Sequence, residues 1–507
     1  MQKQAQEDKS MTGRNKMGTP ETGRRIDFWD TTLRDGHQSL WATRMTSAMI
    51  EPIAETVGEV GYAVIGIAGA AVFDSCIYYL AENPWERLAM VNRLTPGIPK
   101  ACYIRSLNIL GWDIFPDDAT ELTVQTLGKY GVTVINAFDA LNDTRNMEAT
   151  IRAARKCGLH SVGSLVYSIS PIHTDEYYVV KAKELVAMGV DAVQLKDSGA
   201  LLTPERTKGL VPKLRLAIGE GVKLHFHTHC TSGLGPLVAI TALPLGIDVM
   251  HSAISPLANN TSNPPTETIV YEAIRQGYHV PLNLQKMEEE AAYFRKVAQD
   301  HGKPSGIGAI YDPSLYRHQV PGGMMSNLRS QMAAQNLDVS FDALLMEIER
   351  VREDLGYPIM VSPMAQFIGV QALFNVLHGE RYKVVPAEVR NYALGWYGEH
   401  PAPINPDIYD KITQGGKSIT GRPADHVPPL IERARKEFGE HLTDEELILA
   451  FHYKPKTLQA WRMMRSDPLH YPLAESTTAL LLNELRFRKD VNFFHLSRQE
   501  DSITFRR

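Results

Sequence analysis

The chain has 507 residues, 44% hydrophobic and 22% charged, which is ordinary for a globular protein with a large core and excludes disordered and fibrous classes. Its 53 Lys and Arg against 58 Asp and Glu leave a formal charge of −5, so no strong field draws it to nucleic acid or to an acidic membrane surface. Four scattered cysteines, Cys76, Cys102, Cys157 and Cys230, have no CxxC spacing, which argues against a zinc ribbon or a disulfide framework and for a cytoplasmic protein.

Residues 1–25 mix acids with bases and have no apolar stretch of the signal-peptide kind, so a disordered tail is expected there. From residue 26 short apolar runs alternate with longer helix-patterned stretches. Candidate strands fall at Ile26–Leu33, Ala63–Ala68, Ala101–Arg105, Val132–Phe138, Ser161–Val166, Ala192–Lys196, Lys223–His229 and Asp248–Ala253. Eight such units without a GxGxxG after the first strand predict a TIM (β/α)8 barrel rather than a doubly wound sheet. The longest apolar run, Val60 to Phe73, is shorter than the ~20 residues that span a bilayer and reads as a buried strand, so no transmembrane segment is expected. Beyond residue 280 helical patterns take over, as in Glu288–Asp300, Phe341–Leu355 and Asp444–Phe451. The expected division is a barrel over 26–300, a helical domain over 301–470 and a C-terminal extension over 471–507 with no readable feature.

The first strand runs into Asp30-Thr31-Thr32-Leu33-Arg34-Asp35-Gly36-His37-Gln38, at the barrel end where active sites lie. Asp35 there is either a metal ligand or the cap of the next helix. On the seventh strand, His227 and His229 stand two residues apart on one face, a spacing at which two imidazoles can converge on a divalent ion. His225 points the same way one layer deeper, where a core or supporting role is expected. Lys196 ends the sixth strand. As an ammonium it would repel an ion, and its alternatives are pairing with Asp197, reaching solvent, or becoming an oxygen ligand by carbamylation.

Together, Arg34–Leu40, Phe138–Asp143, Ser168–Thr174, Leu195-Lys196-Asp197, His227-Thr228-His229 and Pro321–Asn327 resemble the motifs of the biotin-dependent carboxyltransferases, in that family's order. The pattern looks most like the 5S subunit of transcarboxylase, with pyruvate carboxylase and the oxaloacetate decarboxylase α subunit as relatives. It extends over about residues 26–450 and includes Gly421–Asp425. The resemblance implies a barrel capped by a helical funnel, with zinc, cobalt or manganese held by Asp35, carbamylated Lys196, His227 and His229. It assigns Arg105, Arg34 and Gln38 to the substrate, with Arg105 on the carboxylate of a 2-oxo acid such as pyruvate or oxaloacetate, where an ordinary salt bridge is the alternative. It assigns Ser326 to carrying a proton between the acceptor methyl and biotin, although alone that serine reads as a helix cap. It further implies partners: a biotin carboxyl carrier protein, a biotin carboxylase subunit and a second copy of the chain in a homodimer. No Met-Lys-Met biotinylation motif is present, so biotin is expected in trans.

The sequence also departs from the family. Where relatives carry Glu-Cys-Trp-Gly-Gly-Ala-Thr at the end of the second strand, this chain has Gly66-Ile67-Ala68-Gly69-Ala70-Ala71-Val72, and it has Ser106 after Arg105 and Cys230 after His229. These changes either signal an acceptor other than pyruvate or oxaloacetate or are neutral drift in the barrel wall. Cys230 reads as a small buried residue rather than a nucleophile. Two other functions remain open: a Claisen-type condensing enzyme or lyase, whose barrel also begins DTTLRDG, and a catalytically silent scaffold subunit of a biotin-dependent complex.

Overall fold

The computed structural model describes residues 23–321 and 340–466 together with two strands near the C-terminus, Phe493–Arg498 and Asp501–Arg506. Eight parallel strands close a barrel in sequence order: β1 Asp27–Asp30, β2 Val64–Gly69, β3 Lys100–Arg105, β4 Val134–Phe138, β5 His160–Val166, β6 Ala192–Asp197, β7 Lys223–Thr228 and β8 Val249–Ser252. All eight expected strands are present. Each is covered on both faces, which is why they read as near-continuous apolar runs. Trp29, Val64, Ala101, Tyr103, Val134 and Val162 fill the interior, and Phe28, Ile65, Ile104, Leu165 and Phe226 belong to the larger core shared with the surrounding helices. One interior layer is polar: the Ser164 hydroxyl contacts Asn136 Oδ1 at 2.6 Å and Gln194 Oε1 at 2.9 Å.

Two strand expectations are corrected. β1 stops at Asp30, because the Asp30 carboxylate accepts the Thr32 backbone N–H at 3.0 Å and the Thr32 hydroxyl, and these bonds bend the chain into a turn. The Val60–Phe73 run is strand only over Val64–Gly69. At Gly69 it passes into the helix Ala70–Ser75, since continuous hydrophobicity does not distinguish a buried strand from a buried helix. The pairing of β2 with β3 also shifts register between Gly66 and Ala68.

Crossover helices begin where the sequence supplies caps. Asp143 accepts the Arg145 N–H ahead of Thr144–Lys156, and Thr203 accepts the Arg206 N–H ahead of Pro204–Ile218, where proline at the first position lacks only a donor the helix could not use. Helix Leu284–Asp300 packs back on the barrel through Met287 and Phe294. A second core gathers Leu344, Ile348 and Val351 of helix Phe341–Asp354 with Ile368 and Ala372 of helix Met364–His378. Its tie to the barrel is apolar through Ala140 and Leu141 of the loop after β4 and through Ile359 against the barrel interior, and it is also polar. Arg352, almost fully buried, donates to Ser168 Oγ at 3.0 Å and to the Ile169 carbonyl at 2.9 Å, and Gln319 Nε2 donates to the same carbonyl at 2.6 Å. Helices Asp444–His452 and Pro455–Ser466 then return to the barrel core through Ile448, Leu449 and Trp461. The antiparallel pair of Phe493–Arg498 and Asp501–Arg506 lies in the extension where no feature was read. Among the described residues no helix is long and apolar enough to cross a membrane.

Candidate active site

The turn after β1 carries Asp35 into the mouth of the barrel. The Gly36 N–H closes on the Thr31 carbonyl at 3.0 Å, and Thr32 Oγ accepts the Ile254 N–H at 2.9 Å, which ties the turn to the end of β8. Glycine at 36 permits the approach, because a Cβ there would meet Leu257 at 3.2 Å. The result is a carboxylate 3% exposed whose Oδ2 has no hydrogen-bond partner.

Asp35 meets the two predicted histidines, His227 on β7 and His229 just past its end. One ligand atom from each of Asp35, His227 and His229 lies within 4.8 Å of the others, and all three residues are buried. His229 Nε2 stands 4.0 Å from Asp35 Oδ1, and its ring is oriented by Nδ1 donating to the Thr261 carbonyl at 2.6 Å. Register pairs Lys196 of β6 with His227, and Lys196 Nζ lies 3.4 Å from His227 Nε2. Asp197 is not its partner. That carboxylate is turned the other way and accepts the Leu201 and Leu202 N–H groups at 2.8 and 3.0 Å and the Thr228 hydroxyl at 2.9 Å.

Electrostatics prepares these groups as ligands. Burial holds both imidazoles below their ordinary range, so each keeps a free lone pair at neutral pH. Burial alone would raise Asp35, but the charges of Arg34 and Lys196 outweigh it, and the carboxyl stays ionised. Burial also brings Lys196 down from 10.5 to about 8, within reach of the neutral amine. One carboxylate with an orphaned oxygen and two neutral imidazoles in a buried mouth fit a divalent metal ion.

The predicted substrate residues flank this set. Arg34 pairs with Asp35, and its guanidinium lies 4.2 Å from the centre of the Tyr103 ring. Arg105, at the end of β3, is near enough for its charge to act on that of Arg34. Its Nη1 donates to the Gly111 carbonyl at 2.9 Å, Trp112 packs on its guanidinium at 4.4 Å, and its Nε has no partner. Burial lowers Arg105 to about 10, opposed by the Asp74 carboxylate, and it remains a cation. Gln38 sits on the short helix His37–Leu40 with a partnerless Oε1. Ser326 lies outside the described residues. His225 lies one layer down, with Nδ1 3.2 Å from Nε2 of His251.

Tyr103, Asn263 and His251 were not anticipated, although Tyr103 is two residues from Arg105 on one strand and so shares its face. The departures in β2 fall at two kinds of position. Ala68 is buried in the layer between barrel and helices, and Gly66 abuts Trp29, whose Nε1 a Cβ would meet at 3.1 Å. A Cβ at Gly66 would also lie 3.6 Å from Arg34 Cβ, and one at Gly69 would lie 3.4 Å from Arg34 Nε, so this end of β2 borders Arg34. Ser106 donates to the Phe138 carbonyl at 2.7 Å, and Cys230 is buried with its thiol pushed far up.

Residues 129–293 match the family described as HMGL-like, and residues 315–501 match the one described as Conserved carboxylase domain. The chain is 43% identical over 435 residues to a pyruvate carboxylase subunit of Methanocaldococcus jannaschii, covering 85% of this chain and 76% of that one. It is 35% identical over 453 residues to the methylmalonyl-CoA carboxyltransferase 5S subunit of Propionibacterium freudenreichii subsp. shermanii, covering 88% and 89%. The carboxyl transferase domain of Rhizobium etli pyruvate carboxylase, solved with pyruvate, superposes with a TM-score of 0.81 at 26% identity, over 88% of this chain and 78% of that one.

Proposed function

Because the chain belongs to the biotin-dependent carboxyltransferases, the family of the Methanocaldococcus jannaschii pyruvate carboxylase subunit and the transcarboxylase 5S subunit, we propose that its barrel mouth moves a carboxyl group between carrier-borne biotin and pyruvate. The chain is an enzyme that transfers carboxyl groups to a 2-oxo acid. The observation that carries the site assignment is the convergence of Asp35, His227 and His229 beside Lys196 at the C-terminal end of a parallel barrel. The Conserved carboxylase domain match over 315–501 favours carboxyl transfer over a condensing enzyme, which the HMGL-like match alone would leave open.

Asp35, His227, His229 and a carbamylated Lys196 would hold zinc, cobalt or manganese, and the ion would supply a Lewis acid beside the acceptor. Lys196 suits the modification because its lowered basicity exposes the lone pair that carbon dioxide must meet. Arg105 and Arg34 place two fixed cations where the acceptor carboxylate binds and where negative charge develops as the methyl group loses its proton. Gln38 offers an amide to the same substrate, and Ser326 passes the methyl proton toward the biotin ureido oxygen. Burial of the mouth removes water that would screen these charges.

The relatives are subunits of larger assemblies, and by the same reading this chain works with a biotin carboxyl carrier protein and a biotin carboxylase subunit, as a cytoplasmic homodimer. The test is direct. The purified chain should carry no biotin that streptavidin detects, and it should decarboxylate oxaloacetate to pyruvate when free biotin or a biotinylated carrier is added. Biotin covalently attached to this chain would overturn the arrangement in trans, and a folded, metal-loaded chain inert with every biotin donor would overturn carboxyl transfer.

A further inference from the structure

We propose that His251, at the floor of the site, is a positioning residue for His227 and sets the imidazole tautomer in which His227 Nε2 offers its lone pair to the metal. The inference rests on the metal reading above and extends it to a residue that touches neither ion nor substrate.

The direction of the protons follows from one fixed amide. Asn263 Nδ2 lies 2.8 Å from the Thr228 carbonyl oxygen, which can only accept, so this atom is the NH2 group. The same nitrogen lies 3.3 Å from His227 Nε2, so that atom carries no proton, and its lone pair, which faces the Asn263 N–H here, would pass to the ion on metal binding. With Nε2 bare the ring proton is on Nδ1, and the atom facing it is His251 Nδ1 at 3.4 Å. His251 accepts there, so its own proton is on Nε2, which faces His225 Nδ1 at 3.2 Å. His225 accepts in turn and is protonated on Nε2. Three buried histidines thus share one polarity, and reversing it would place a proton on the very nitrogen of His227 that faces the site.

Packing holds the middle ring in place. Trp29 and His251 are register partners on β1 and β8, and their rings stack 4.4 Å apart at 22°. The Tyr103 hydroxyl approaches His251 Nδ1 at 3.4 Å as a second donor, which reinforces that nitrogen as acceptor. Gly66 leaves the room that the Trp29 indole occupies. Gly66 and the stacked Trp29 and His251 rings therefore belong to one packing arrangement beneath His227.

The experiment compares metal binding by the full chain, His251→Leu and His251→Asn, using chelator competition with zinc and the proton NMR of the cobalt form. Leucine removes the acceptor, whereas the asparagine Oδ1 can stand near the position of Nδ1. Losing such a partner weakens metal binding about 10- to 100-fold, and asparagine should recover most of the loss. In the wild-type cobalt form, His227 and His229 should each give a shifted, exchangeable N–H signal. His251→Leu should lose the His227 signal and keep that of His229, which Thr261 holds. A folded His251→Leu variant with wild-type zinc affinity and both signals would overturn the proposal. If the leucine variant does not fold, nitrogen-15 histidine spectra of the wild-type zinc form decide: protons on Nε2 of both His251 and His225 support the relay, and a proton on Nδ1 of His251 overturns it. A wild-type chain that takes up no metal would instead sink the metal reading, and this inference with it.

Discussion

Lys196 and Arg105 carry the sharpest predictions at the scale of single residues. Lys196→Ala removes the ammonium beside His227 Nε2 while cutting little from the core, so the variant should fold, lose most of its bound metal and lose carboxyl transfer. Full metal content by elemental analysis would show that Lys196 is not a ligand. Arg105→Lys keeps the charge but not the planar fork that can grip a carboxylate in two places, and a charge-assisted hydrogen bond contributes ~1.5–3 kcal/mol. KM for pyruvate should rise about tenfold or more with a smaller change in kcat, and an unchanged KM would detach Arg105 from the substrate. Asp35, His227 and His229 could be gathered in the sequence from strand ends and two-residue spacing, whereas Lys196 was drawn in only by the family resemblance, because its own surroundings left pairing with Asp197 and solvent open. Tyr103, Asn263 and His251 were not legible, because their roles come from partners on other strands or in the loop after β8, across the barrel, that no local pattern names. The Glu and Trp missing from β2 were read as either a changed acceptor pocket or neutral drift, and the register shift between Gly66 and Ala68 turns position 66 toward Trp29 and Arg34 and position 68 into the outer layer.

Among the elements, β1 and β2 depend on each other through Trp29 and Gly66. A Cβ at 66 would lie 3.1 Å from Trp29 Nε1 and 3.3 Å from the Asp30 carbonyl, so Gly66→Ala should cost about 1–3 kcal/mol of stability, as overpacked cores do. Combining it with Trp29→Leu should cost less than the sum of the two, and strict additivity in thermal melts would contradict the contact. The loop after β4 carries a pH-dependent contribution. Burial, and then the neighbouring Asp143 carboxylate, push Asp139 up from 3.8 to about 7. The folded chain therefore holds this proton more tightly than the unfolded one, and the contribution to stability falls as pH rises from about 4 to about 7. Asp139→Asn, uncharged throughout, should gain in melting temperature on wild type between about pH 5 and pH 8. An equal gap at both pH values would show that the carboxyl titrates normally. The eight strands were readable from apolar runs buried on both faces, whereas the end of β1 and the helix inside Val60–Phe73 were not, because both are decided by where Asp30 and Gly69 turn the chain.

Over the whole molecule, Arg352 and Gln319 seat the second core on the loop Ser168–Ile169, beside the barrel mouth. Arg352→Met would leave buried acceptors on Ser168 and Pro358 without this donor, while Gln319 still serves the Ile169 carbonyl, at a cost of about 1–3 kcal/mol for each one left unpaired. Limited proteolysis of that variant should cut the connection between the two cores faster than in wild type, and an unaltered pattern would mean the junction is held elsewhere. Carboxyl transfer at that mouth is tested most directly by one measurement: exchange of an isotopic label between pyruvate and oxaloacetate by the purified metal-loaded chain, with and without biotin. The expected result is exchange that requires biotin and disappears in Lys196→Ala and His229→Ala. Exchange that survives in those folded, metal-free variants, or its absence from the metal-loaded wild-type chain in the presence of biotin, would contradict it.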